Sequence, residues 1–252
     1  FASEIDKYAI NVTQTNFPLT KQLGCITTVQ GEDLPKIDLL FGGSPCQSFS
    51  NAGSGKGFDG KSKLFWEFVR VLKEVDPTYF LLENVVMKKE WEAIITNTLG
   101  VSPVKINSRL LSAQNRPRLY WTNIPNVREP EDQKIFIKDI LDTEIKEKFY
   151  LSDKAVAKIE RSKFGREYAN IDTPKTRTLI AGYYKIPSDG IYYDDGKRKR
   201  RYTPTECEKL QTVPVNYTDS VSDTQRYKML GNGWTVDVIA YIFKNLKEQW
   251  KY

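Results

Sequence analysis

Two residues stand out for their chemistry: Cys46, in the stretch IDLLFGGSPCQSFS at 37–50, and Glu83, directly after the apolar run Tyr79-Phe80-Leu81-Leu82. A cysteine thiolate is a strong nucleophile even when only a few per cent of the thiol is ionised. A carboxyl group beside an aromatic ring nitrogen can protonate it and make the neighbouring carbon electrophilic. Arginines can hold a carbonyl oxygen or a phosphate, and Gln114-Asn115-Arg116-Pro117-Arg118 supplies two. A lone cysteine is more often buried and inert, and Arg116 and Arg118 fit surface ion pairs as well as contacts to an anion or a base. Taken together, the thiol, the acid and the arginines suit covalent addition to a pyrimidine ring.

Both residues need elements that deliver them to one place. Residues 37–43 are apolar except for Asp38 and end in two glycines. Such a run reads as a buried strand, covered on both faces in a parallel sheet. In open α/β sheets the working residues collect beyond the carboxyl ends of the strands. Cys46 is expected there, on a loop shaped by glycine and proline, with Glu83-Asn84 just past the end of a parallel neighbour. Between them, residues 63–74 carry Leu64, Phe65, Phe68, Val69 and Leu72 at helical spacing. Asp76-Pro77 stops that helix, completing a βαβ unit. Residues 51–60, NAGSGKGFDG, lack the spacing of a phosphate-binding loop. They read as a mobile lid or as an ordinary surface loop.

Composition narrows the chemistry further. The chain has 252 residues, 40% hydrophobic and 28% charged, as in globular domains. It has no histidine, which removes the commonest general base and every Ser-His or Cys-His nucleophile. Without histidine or a paired CxxC, no metal site is expected. Three scattered cysteines argue against a disulfide framework and for a reducing compartment. No apolar run approaches the ~20 residues of a membrane helix. The formal net charge is +6 and the isoelectric point about 9.0, a balance that suits a nucleic-acid partner.

The chain opens on Phe1-Ala2, read as the tail of a strand, with Glu4 past its end and a helix over 6–11. An acid at the end of a second Rossmann strand often binds ribose hydroxyls. The first βα unit of such a sheet is expected to be lacking. Residues 23–26 are weakly strand-like, 91–99 form a helix ended by Gly100, and 119–124 form a strand. Beyond Pro125 the apolar runs shorten and charges rise. Helical fragments are expected at 135–141 and 152–160, and a strand or hairpin at 176–184 exposing Arg177, Tyr183 and Tyr184. Lys197, Arg198, Lys199, Arg200 and Arg201 form the densest positive patch, suited to a phosphate backbone. Thr203-Pro204-Thr205-Glu206 starts a helix, with threonine at the N-cap, proline at N1 and glutamate at N3. Cys207 is expected in its buried face. A last helix over 234–246 is preceded by Leu230-Gly231-Asn232-Gly233, which would offer backbone N–H groups to an anion.

The ordered series GGSPCQSFS, Glu83-Asn84-Val85, QNRPR at 114–118, RRYTPTECEKLQ at 200–211 and LGNGWTVDVI at 230–239 resembles the motifs of DNA (cytosine-5) methyltransferases of phage and bacterial type. The resemblance spans nearly the whole chain. It implies a Rossmann-like S-adenosylmethionine-dependent methyltransferase sheet, formed by 1–126 plus 221–252, with a small irregular target-recognition domain over 127–220. Cys46 would attack C6 of a flipped-out cytosine. Glu83 would bond N3 and the exocyclic amine, and Arg118 would hold O2 with Arg116 as its partner. Glu4, Ile5, Pro45 and Asn232 would face S-adenosylmethionine. Gln47, Ser50, Arg177, Tyr183, Lys197, Arg198, Lys199 and Arg200 would contact double-stranded DNA.

Three features depart from the family pattern. Its first motif, a Gly-rich cofactor turn, is absent upstream of Phe1. Cys25 stands where an aspartate is usual, and Val213-Pro214-Val215 replaces an aromatic-Pro-Asp stretch. The first two bear on the cofactor. A separate N-terminal polypeptide supplying the missing motif is therefore one expected partner. The resemblance places the protein in the cytoplasm of a bacterial or phage-infected cell. Two other functions stay open: a catalytically deficient DNA-binding paralogue, and a tRNA cytosine-5 methyltransferase.

Overall fold

The computed structural model describes residues 1–44, 64–162, 168–187 and 190–246. Cys46, Pro45, Gln47, Ser50 and the 51–60 stretch lie outside the described residues. Four strands, β1 (Leu39–Gly43), β2 (Tyr79–Val85), β3 (Val104–Asn107) and β4 (Pro117–Thr122), form one sheet in the order β1-β2-β4-β3. β1 and β2 are parallel, with Leu39 opposite Tyr79 and Gly43 opposite Glu83. Between them runs α2 (Leu64–Val75), as the apolar spacing requires. β4 is antiparallel to both of its neighbours. β2 is longer than expected, so Glu83 and Asn84 lie within it, just before its last residue Val85, rather than in a loop beyond it.

Side chains alternate across the sheet with a period of two. Leu82, Leu119 and Trp121 pack with Phe65, Phe68 and Val69 of α2 and Ile95 of α3 (Lys89–Leu99). Leu81, Ile106 and Tyr120 face the other way, onto Val238, Ile239 and Ile242 of α7 (Val236–Lys244). That alternation decides where the chemistry points. Glu83 shares the α7 face with Leu81, and Arg118 shares it with Tyr120.

A third core is built from residues between 113 and 230. It gathers α4 (Asp153–Glu160), the hairpin β5 (Tyr192–Asp194) and β6 (Lys199–Arg201), α5 (Pro204–Leu210) and α6 (Asp223–Asn232). The Thr203/Glu206 capping box forms as read, as does the Ser152 cap on α4, and Cys207 is fully buried.

Several local expectations give way. Residues 23–26 make no strand; a 3-10 turn follows at Ile26–Thr28. The 176–184 stretch ends in a 3-10 turn at Ala181–Lys185. Tyr183 is not exposed there: it is 0% accessible, and its hydroxyl accepts the Tyr202 N–H at 2.8 Å. Leu230-Gly231-Asn232 closes α6 instead of opening α7, whose N-cap is Thr235.

α6 packs against the 181–185 turn backbone to backbone. A Cβ at Gly231 would lie 2.3 Å from the Ile180 carbonyl carbon and 2.4 Å from the Ala181 nitrogen. Backbone cannot swing aside as a side chain can. Gly231→Ala is expected to cost at least about 1–3 kcal/mol, the usual scale of overpacking, read as a lower midpoint in urea unfolding.

Candidate active site

Glu83 is 9% exposed, and both of its oxygens are engaged. Arg118 Nε forms an ion pair with Oε1 at 2.9 Å, and Trp234 Nε1 donates to Oε2 at 3.1 Å. The sheet explains the first contact. Tyr120 lies opposite Glu83 and Arg118 opposite Val85, so Arg118 reaches Glu83 along the diagonal of an antiparallel pair. Asn84, on the opposite face, donates to Ser44 Oγ at 2.8 Å. Ser44 follows Gly43, the last residue of β1, and is two residues from Cys46. The strand carrying the acid is therefore tied to the chain leading to the thiol.

Arg116, expected as the partner of Arg118, sits immediately before β4. It is 4% exposed and donates to the carbonyls of Leu179 (2.9 Å), Gly231 (3.2 Å) and Gly233 (2.8 Å). Its guanidinium clamps the third core and the α6–α7 junction to the start of β4. Gln114 and Gln211 share the task. Gln114 accepts the Leu179 N–H at 2.8 Å and donates to Gln211 Oε1 at 3.2 Å. Gln211 in turn donates to Gly233 O at 3.2 Å. The sequence reading missed Trp234 and Gln211, although both lie inside the quoted motifs.

At the N-terminal turn, Glu4 Oε1 accepts the N–H groups of Ile5 (2.7 Å) and Asp6 (2.8 Å). Asp6 caps α1 (Lys7–Asn16) and pairs with Lys228 Nζ at 2.7 Å. The Lys228 bond holds the Asp6 carboxyl below the usual aspartate range, against the opposing effect of burial. This ion pair brings the Glu4–Asp6 turn to α6, where Asn232 lies one helical turn beyond Lys228 and is exposed. Glu4 Oε2 carries no hydrogen bond among the described residues, and Ile5 beside it is 75% exposed. An open carboxylate oxygen next to an exposed apolar side chain fits the ribose and ring of a nucleoside.

The basic run is mostly neutralised. Arg200 is 2% exposed and cannot reach a phosphate backbone; it pairs with Glu206 at 2.7 Å. Arg198 forks onto Glu147 at 2.8 and 2.7 Å, and Lys199 pairs with Glu160 at 2.5 Å. Arg177, half-buried, donates to Gly190 O at 2.9 Å. Of the 197–200 run only the Lys197 side chain is exposed with no partner among the described residues. Lys197→Ala is expected to lower the slope of log affinity for DNA against log salt by about one at most. A fluorescence titration at several salt concentrations reads that slope.

Among the described residues a cavity of about 510 Å³ opens at the far end of α7, lined by Asn126, Val127, Arg128, Tyr241, Lys244 and Asn245. It shares no residue with the Glu83 group. The described residues hold no group of three or more Cys, Asp or Glu placed to bind a metal. No helix among them is long and apolar enough to cross a membrane.

The model of the C-5 cytosine-specific DNA methylase family matches residues 1–248. The chain is 36% identical over 279 aligned residues to the Type II methyltransferase M1.ScrFI of Lactococcus lactis subsp. cremoris, covering 98% of this chain and 72% of that protein. It is 35% identical to the Type II methyltransferase M.NlaX of Neisseria lactamica, covering 98% and 88%. Among solved structures, the Entamoeba histolytica methyltransferase EhMeth superposes with a TM-score of 0.84 at 20% identity, over 100% of this chain and 90% of that one. The S. pombe Dnmt2 methyltransferase gives 0.75 at 18% identity, over 100% and 91%. These likenesses establish the Rossmann-like methyltransferase fold, whose cofactor is S-adenosylmethionine. The chain belongs to the C-5 cytosine-specific DNA methylase family, and its activity is that of a DNA (cytosine-5) methyltransferase.

Proposed function

We propose that the chain methylates a cytosine flipped out of duplex DNA, through a covalent adduct with Cys46. The observation that carries this reading is the Glu83 carboxylate, fixed between Arg118 and Trp234 in register with Gly43, where β1 leads toward Cys46. Glu83 would bond the N3 edge of the base and Arg118 its O2. The Cys46 sulfur then forms a bond to C6, and the ring electrons move to C5. S-adenosylmethionine supplies the methyl group that C5 takes up. Loss of the C5 proton to water restores the ring double bond and releases the sulfur. Glu4, Ile5, Pro45 and Asn232 would hold the cofactor. Gln47, Ser50, Lys197, Arg198 and Arg177 would touch DNA.

Residues 127–220 would serve as target-recognition region, with 1–126 and 221–252 as the catalytic part. Tyr227 and Leu230 of α6 pack in the core of that recognition region, so the helix would link the two. The edge of β1 away from β2 has no strand partner among the described residues, and Phe41 on it is 47% exposed. An open edge of this kind can accept a further strand. The relatives' Type II names support a restriction-modification role in a bacterial or phage-infected cytoplasm. The test is duplex DNA carrying 5-fluorocytosine, whose fluorine cannot leave C5 as a proton does. With S-adenosylmethionine present, a denaturation-resistant protein–DNA adduct is expected; an adduct-free protein that still methylates ordinary cytosine would overturn the covalent route.

A further inference from the structure

We propose that Trp234 is a positioning residue for Glu83, which rests on the reading of Glu83 as the acid that grips the base. Three observations converge on it. The indole N–H donates to Glu83 Oε2 at 3.1 Å, across 151 residues of sequence. Gly43 leaves room for that bond: a Cβ there would lie 3.1 Å from Glu83 Oε2 and 3.2 Å from Trp234 Nε1. The indole is also seated from behind, by Phe41 of β1 at 5.5 Å between ring centres. Phe41 itself packs edge-on against Phe243 of α7.

The backbone before Trp234 is fixed as firmly as its ring. Gly233 O accepts Arg116 Nη2 at 2.8 Å and Gln211 Nε2 at 3.2 Å. The two arginines of the 116–118 motif thus act on one carboxylate by different routes. Arg118 holds Oε1 directly, while Arg116 holds the carbonyl next to the residue that holds Oε2. A carboxylate oxygen accepts two hydrogen bonds, so one site stays open on each, for the exocyclic N–H of the base and for the proton shared with N3. With an ion pair on one oxygen and an indole donor on the other, the carboxylate plane is held from both sides. Trp234 therefore sets the angle at which Glu83 meets the pyrimidine edge, and a misaligned acid loses rate before it loses substrate affinity.

Trp234→Phe keeps an aromatic ring against Phe41 and removes only the donor. We expect single-turnover methyl transfer to fall roughly 10-fold, the scale of one hydrogen bond to a charged group. DNA affinity and melting temperature should stay near wild type. In a Glu83→Gln background the same substitution should change the residual rate less than about twofold, because contacts acting through one group are not additive. A second readout needs no catalysis: the indole ¹⁵N–¹H resonance lost in Trp234→Phe should move when Glu83→Gln is introduced. A wild-type rate in Trp234→Phe overturns the proposal, as does an unmoved indole resonance or an equal loss in the Glu83→Gln background. Failure of the underlying reading looks different. There Glu83→Gln itself leaves methyl transfer unchanged, while the indole resonance still moves.

Discussion

Cys46→Ser is expected to abolish methyl transfer while leaving DNA affinity nearly intact. The two side chains differ by one atom, so binding should change little. Their reactivity differs far more. A thiol is appreciably ionised near neutral pH and a hydroxyl is not, so serine must be activated by an adjacent base. This chain has no histidine to supply one. Glu83, the one acid shown on this edge, already has an oxygen bonded to Arg118 and another to Trp234. A fall on the order of 10⁴-fold or more is expected, the scale seen when a catalytic group that acts as part of a unit is removed. Single-turnover methyl transfer against equilibrium DNA binding separates the two effects, and the variant should form no adduct on 5-fluorocytosine DNA. A serine variant that turns over like wild type would remove the nucleophile from the mechanism. Glu83→Gln should slow the same step strongly, with Cys46 still in place.

What could be read from the sequence depended on how local its cause was. The βαβ unit was legible because Phe65, Phe68, Val69 and Leu72 mark one helix face and the two flanking runs are nearly all apolar. α5 was legible because threonine, proline and glutamate at its start satisfy its own first turn. Long-range partners were not. The acids that neutralise Arg198 and Lys199 lie 51 and 39 residues away in Glu147 and Glu160, so the run reads as a patch only while its counter-charges are out of sight. Tyr183 failed for a related reason. Its neighbours Arg177 and Tyr184 are half-exposed, but a 3-10 turn rotates Tyr183 inward to meet Tyr202 and Tyr227. The site shows the same division. Glu83 and Arg118 are legible as motif residues, whereas the clamp that fixes the acid needs the fold to bring Trp234 across.

Arg200 gives the largest expected effect on stability, although sequence alone suggested a DNA contact. Arg200 and Glu206 are 2% and 0% exposed. Their side chains form a two-pronged pair at 2.7 and 2.8 Å. Glu206 also accepts the N–H groups of Thr203 at 2.7 Å and Asp142 at 3.0 Å, so the carboxylate joins β6, the start of α5 and the 142 region. Removing the guanidinium leaves a buried charge with its main counter-ion gone. Breaking one side of a buried pair costs about 3–5 kcal/mol, much of it the penalty of the stranded partner. Arg200→Met is therefore expected to lower the urea midpoint sharply. Arg200→Met combined with Glu206→Leu should regain part of that loss, because no charge is then stranded; the loss of the two backbone contacts to Glu206 keeps the recovery incomplete. A phosphate-contacting arginine would behave in the opposite way. Its removal would leave the urea midpoint alone and reduce the salt dependence of DNA binding by about one. Unfolding and salt titration on one variant thus decide between a structural and a DNA-contacting Arg200, and an unchanged urea midpoint would refute the buried assignment.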